Sequence, residues 1–290
     1  MFRNKDSEQI RTGVAMRRGQ DSRNFQTNSL PTGYIYRFEP TKSQLAHIRA
    51  NQAVTAVMLN LDKVSSLLKK GITSSFFRSD QIAITTSTIS DARLPSYHVE
   101  REASIVKRFS PLFHVPCDRP VYEVQNPEER RWFIESQVRD TLELRDRIQG
   151  TRTKLLPLLK GVTDEEIMLC HNLFSKQGFN HFTYYAAQYF GKGRGRSSNV
   201  LATDIRHIIS LCSLNYLLVI GLQSSNVLSK LPPEVRAHAG LSWALKIRAI
   251  EKSLQSAAAS QPLLRCGEQT IFETRQSLVD APEWYLAKDS

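Results

Sequence analysis

The hydrophobic pattern changes character along the chain. Gly33-Tyr34-Ile35-Tyr36-Arg37-Phe38 reads as a short strand-like or docking segment. From Thr41 to Lys70 apolar residues recur at Leu45, Ile48, Val54, Val57, Leu61, Val64 and Leu68, mostly three or four apart, and Gly71 follows. That spacing predicts one long helix, or two broken near Asn51. Gln81–Thr86 alternates and is β-branched, which predicts a strand, and Val99–Phe109 predicts a helix. Pro111, Pro116, Pro120 and Pro127 then crowd one stretch and mark a boundary.

Beyond it the signals are mostly helical. Asn126 suits an N-cap, Pro127 the first helical position, Glu128 and Glu129 the first turn, and Gly150 the stop. Glu135–Arg139 and Glu143–Arg147 are spaced for i,i+4 pairs. Thr163 with Glu166 forms a capping box for a helix ending before Gly178. Further helices are predicted over about 180–190, 204–220 and 233–258, with a short one from Asp280 and Pro282. The expected class is mainly α, two-lobed and helical, with minor β and flexible terminal arms. Its spans are a basic arm (1–30), an N-terminal lobe (31–110), a Pro-rich linker (111–126), a helical C-terminal lobe (127–258) and a C-terminal arm (259–290).

Charge adds a partner to this picture. The 290 residues hold 39 Lys and Arg against 28 Asp and Glu, a formal net charge of +11. The excess lies in residues 1–125 (net +7) and 150–265 (net +8), whereas 126–149 is −1 and 266–290 is −3. Such a balance fits a polyanionic partner, nucleic acid or an anionic membrane surface. The apolar run Ile208–Leu222 contains Ser210, Ser213 and Asn215 and is too short to span a bilayer, so membrane insertion is not expected. Met1–Asp6 opens a polar stretch without the apolar core of a secretory leader. Cys117, Cys170, Cys212 and Cys266 form no C-x-x-C pair, which fits a cytoplasmic location and no metal or cofactor.

The densest candidate site is Phe179–Phe190 followed by Gly191-Lys192-Gly193-Arg194-Gly195-Arg196. Three cations alternating with glycines suit phosphate contact, with Arg206 on the next helix adding to them. On a helix Phe182, Tyr185, Ala186 and Tyr189 share one face and belong to the core. Tyr184 and His181 lie on other faces and are the candidates for stacking on bases. Arg236, Lys246 and Arg248 form a second basic element, Lys69 and Lys70 close a helix, and Arg17 and Arg18 sit in the basic arm. Phe272, Leu278, Trp284, Tyr285 and Leu286, in an acidic tail, read as a docking element for homo-oligomerisation. Enzyme signatures are missing among the short motifs: there is no H-E-x-x-H or P-loop, and Gly240-Leu241-Ser242-Trp243-Ala244 misses the nucleophile elbow at its last position.

Asn199-Val200 leading to Leu211-Cys212 resembles one motif of plant negative-strand RNA virus nucleocapsids of the emaravirus type. Pro233-Glu234-Val235, Ala237, Trp243 and Lys246-Ile247 resemble another. The resemblance covers roughly 50 of the 290 residues and implies a nucleoprotein that oligomerises along an RNA genome, within a virion. The expected function is therefore non-enzymatic coating of single-stranded RNA with self-assembly. The coat protein of a flexible filamentous virus shares these features. A nucleic-acid-modifying enzyme and a membrane-surface or host-interaction protein are the readings from other classes.

Overall fold

The computed structural model describes residues 29–190, 198–222 and 230–240. The chain divides into two units, Met1–Leu30 and Pro31–Ser290, and the fold below belongs to the second. Its elements alternate: β1 (Gly33–Arg37), α1 (Lys42–Ala50), β2 (Ala56–Asn60), α2 (Leu61–Leu68), β3 (Ile82–Thr86), α3 (Val99–Phe109), β4 (Phe113–Val115), α4 (Pro127–Arg147), β5 (Lys154–Leu155), α5 (Asp164–Ser175), β6 (Phe182–Tyr185), α6 (Ser198–Cys212), β7 (Leu217–Ile220) and β8 (Val235–Gly240).

The eight strands form one parallel sheet in the order β5-β4-β3-β2-β1-β8-β7-β6. The sheet curls until its edges meet. Leu158, just past β5, bridges Thr183 of β6 in parallel. The Leu159 amide donates to Thr183 O and the Thr183 amide to Pro157 O, each at 2.8 Å. Around this ring every strand neighbours the next one in sequence, the arrangement of a (β/α) barrel.

A mainly helical, two-lobed class is thus corrected to α/β. The Pro-rich segment expected to separate two lobes carries β4, which pairs with β3 on one side and β5 on the other. The predicted helix over 41–70 is two helices around a strand, because Ala56-Val57-Met58-Leu59 is buried on both faces of the sheet. A parallel strand covered on both sides is continuously apolar, so it carries no alternation to betray it. For the same reason residues 180–190 hold β6 and a 3₁₀ turn (Ala187–Phe190), and the run to Ile220 ends in β7 rather than in helix. Val235–Gly240 is a strand, and the rest of the helix expected to reach 258 lies outside the described residues. Gly221 ends β7 at φ +100°, which allows the chain to turn where an added Cβ would stand 2.7 Å from the Ala187 nitrogen.

The capped helices stand as read. Asn126 Oδ1 accepts from the Glu129 amide at 2.7 Å, and the Thr163–Glu166 capping box is present in full. Glu143–Arg147 pairs at 2.7 Å. Glu135 pairs instead with Arg131 at 2.9 Å, because Arg139 turns to the Ser136 hydroxyl at 3.0 Å.

Register fixes which side chains face inward. Val57, Leu59 and Ala83 pack outward with α1–α3, and Phe182, Leu217 and Val219 outward with α4–α6. Their alternates, Ile35, Met58, Ile84, Phe113, Thr183 and Leu218, fill the interior. The last inward rung, at the C-terminal ends of the strands, turns polar: Arg37, Asn60, Thr86 and Tyr185.

Candidate functional site

Polar side chains from six strand ends gather at this mouth. Arg37, at the end of β1, is 8% exposed. Its Nε and Nη2 donate to Asn60 Oδ1 at 3.2 and 2.7 Å, and Nη2 also donates to Thr88 O at 3.2 Å. Asn60 occupies the N-cap position of α2 without capping it, since its Nδ2 donates to Thr88 O at 3.2 Å. Burial lowers the Arg37 pKa from its ordinary value, and Tyr185 on the facing strand β6 works in the opposite direction.

The ends of β4 and β5 contribute a charge pair. Lys160 Nζ stands 2.7 Å from Asp118 Oδ1, with side chains 15% and 9% exposed. The Asp118 amide donates to Ser87 Oγ at 2.9 Å, which in turn donates to Val115 O at 3.2 Å. Asp118 is thus tied to the ends of β3 and β4 together. Beside it the Tyr122 hydroxyl donates to both carboxylate oxygens of Asp91, at 3.0 and 2.8 Å. Burial first, then Asp91, raises the Tyr122 pKa well above the usual phenol range, so this proton stays on the phenol at neutral pH.

Behind the mouth lies a buried support. Glu102 on α3 receives His114 Nε2 at 2.7 Å and the Cys117 amide at 3.0 Å, both on Oε1. Thr85 Oγ1 meets His114 Nδ1 at 2.8 Å. Glu102 and His114 are at most 1% exposed, and they fix the backbone immediately before Asp118.

The residues singled out by sequence do not converge on this site. Tyr184 points outward on β6, its hydroxyl 2.9 Å from that of Tyr189, which donates to Asp204 Oδ2 at 2.7 Å. The helical face drawn through Phe182, Tyr185 and Tyr189 is replaced by strand alternation, which sends Phe182 and Tyr184 outward and Tyr185 into the mouth. His181 precedes β6 at the opposite end and packs edge-on against Tyr216 at 5.5 Å, where burial lowers its pKa. Lys69 and Lys70 follow α2 at that same opposite end. Arg206 is spent on Lys230 O at 2.8 Å, and Arg236 is exposed on β8. Lys192, Arg194, Arg196, Lys246, Arg248, Arg17, Arg18 and the tail residues Phe272, Leu278, Trp284, Tyr285 and Leu286 lie outside the described residues. The first three of these fall between β6 and α6 in sequence.

Sequence reasoning missed Arg37, Asn60, Asp91, Asp118, Tyr122, Lys160 and Tyr185. A usable signal was present at two places, where a polar residue terminates a buried apolar run: Asn60 after Ala56–Leu59 and Lys160 after Leu156–Leu159. Among the described residues no helix is long and apolar enough to cross a membrane, and no group of three or more His, Cys, Asp or Glu is arranged to hold a metal.

No family model matches the chain, and no curated protein matches it. Fold and site together define its class: a parallel α/β barrel with a charged, partly buried mouth at the C-terminal ends of its strands.

Proposed function

We propose that the chain is a barrel enzyme that modifies a nucleic acid at this mouth. The observation that carries the reading is the convergence of Arg37, Asn60, Asp118, Lys160 and Tyr185 from five different strand ends on one end of the sheet. In barrels of this kind the reactive groups come from the C-terminal strand ends, which is an argument by analogy of fold. Asp118, ion-paired with Lys160 at 2.7 Å, is the group suited to take a proton or attack an electrophilic carbon, while Lys160 offsets negative charge that develops beside it. The net charge of +11 and the three cations between β6 and α6 in sequence favour a polyanionic substrate.

Passive RNA coating, the expectation from charge and from the nucleocapsid resemblance, calls only for exposed cations. It leaves the half-buried Asp118–Lys160 pair without a role, and the two-lobed helical layout that supported it has been replaced.

The test is to express the wild-type chain or Asp118→Asn in a host, digest total RNA and DNA to nucleosides, and compare their masses. An altered nucleoside that requires the wild-type chain and vanishes with Asp118→Asn is the expected result. Identical nucleoside profiles, with purified protein carrying RNA in regular arrays, would return the coating reading to first place.

A further inference from the structure

Among the described residues Arg37 is a buried cation without a paired counter-ion. Its hydrogen-bond acceptors, Asn60 Oδ1 and Thr88 O, are both neutral. The carboxylates whose fields reach it are committed elsewhere: Asp62 to Arg93 at 2.8 Å and Glu39 to Lys63 at 2.6 Å. Removing a guanidinium from water without a paired charge is costly, and a fold tolerates the cost most readily where a ligand supplies the missing anion. Arginine cannot escape by losing its proton, so the charge persists.

The geometry also says which end of the side chain is offered. Asn60 occupies the Nε–Nη2 edge, and Thr88 O takes a further Nη2 bond, which locks the guanidinium in place. Asn60 and Thr88 leave Nη1 without a bond to either of them. The Tyr185 phenol, facing inward from β6, interacts with the guanidinium, and its O–H supplies a second donor. Two donors from strands on different sides of the ring, one charged and one neutral, suit a single oxygen of an oxyanion approached end-on.

We infer that Arg37 Nη1 and Tyr185 Oη form a preorganised seat for one oxyanion of the substrate, a phosphate or a carboxylate. The inference rests on the mouth being the working end of the barrel. It gives that site a substrate class: a molecule that brings its own negative charge into the mouth, beyond any charge a polynucleotide backbone leaves on the surface.

Thermal unfolding of the full chain in chloride buffer at matched ionic strength tests it, with inorganic phosphate, acetate, a nucleoside 5′-monophosphate and the uncharged nucleoside as probes. The expected result is a saturable rise in midpoint with an oxyanion and none with the nucleoside. Phosphate and the monophosphate acting without acetate identifies a phosphate seat, and acetate alone a carboxylate seat. Arg37→Gln should abolish the rise, while its midpoint without added anion stays at or above that of the wild type because an unpaired charge has gone. Tyr185→Phe should weaken anion binding roughly three- to tenfold, the loss of one hydrogen bond. No saturable rise with any oxyanion, or an undiminished one in Arg37→Gln, overturns the inference. Should Arg37→Gln fail to fold, unchanged binding by Tyr185→Phe overturns it. Unaltered nucleosides together with intact anion binding would reject the nucleic-acid reaction and leave the seat standing.

Discussion

Replacing Glu102 with alanine should cost this fold more than an average core change. Glu102 is 1% exposed, and its Oε1 alone receives both His114 Nε2 and the Cys117 amide. With Nε2–H aimed at the carboxylate, Nδ1 accepts from the Thr85 hydroxyl, so one acidic oxygen organises a chain from α3 through β4 to β3. Glu102→Ala strands two buried donors at once. Losing bonds to a charged acceptor and leaving their donors unsatisfied comes to about 3–5 kcal/mol. At roughly 2–4 °C per kcal/mol for a chain of this size, the midpoint falls by about 6–20 °C. Glu102→Gln keeps a carbonyl oxygen where Oε1 stood, so it retains both acceptances and should lose only about 1 kcal/mol. Thermal and urea unfolding of the three proteins read the contrast directly. Because the Cys117 amide adjoins Asp118, Glu102→Ala should also weaken whatever the mouth does at temperatures where it remains folded. Equal stability of Glu102→Ala and wild type would refute the network as a stabilising element. Equal loss in the Ala and Gln variants would place its contribution in the carboxylate charge rather than in the two hydrogen bonds.

Other outcomes follow from the same geometry. Burial lowers the His238 pKa to about 4, and its Nε2 has no hydrogen-bond partner among the described residues. Its folded value is depressed, so the unfolded chain binds the extra proton, and stability falls as pH drops from the ordinary histidine range, near 6.5, towards 4. His238→Phe, which keeps a ring beside Tyr34, should flatten that part of the midpoint-against-pH curve, and an unchanged slope would count against it. Gly221→Ala should lower the urea midpoint by an amount equivalent to at least about 2 kcal/mol, through strain at positive φ and contact with Ala187. A neutral effect would mean that the β7 turn adopts another conformation.

Legibility in the sequence followed the physics of each signal. Caps are local, so α4 and α5 could be bounded from Asn126, Pro127, Thr163, Glu166 and the glycines that follow them. The strands are short and covered on both faces, so Ala56–Leu59 and Leu217–Ile220 show neither alternation nor length. They merged with neighbouring helices into false helical periods. Once a strand was read as helix, its inward residues were assigned to the wrong face, which is how Tyr185 was placed in a core and Tyr184 was taken for a stacking residue. Arg37, Asp118 and Lys160 are far apart in sequence and share no motif. Only the closure of the ring, through Leu158 and Thr183, brings β4, β5 and β6 to one mouth.

Ultraviolet crosslinking of the purified chain to random-sequence RNA, with the attached peptides mapped by mass spectrometry, tests the central claim most directly, because the two ends of the sheet carry different residues. The Ser87–Asp91, Cys117–Tyr122 and Tyr185–Phe190 segments border the mouth, whereas Lys69, Lys70 and Lys176 follow helix ends, and Lys107 and Arg108 sit in the last turn of α3, on the opposite side. The account predicts crosslinks concentrated at the mouth and reduced by competition with the oxyanion that binds Arg37. Crosslinks centred on the opposite end, or spread evenly over the cationic surface and indifferent to that anion, would contradict it.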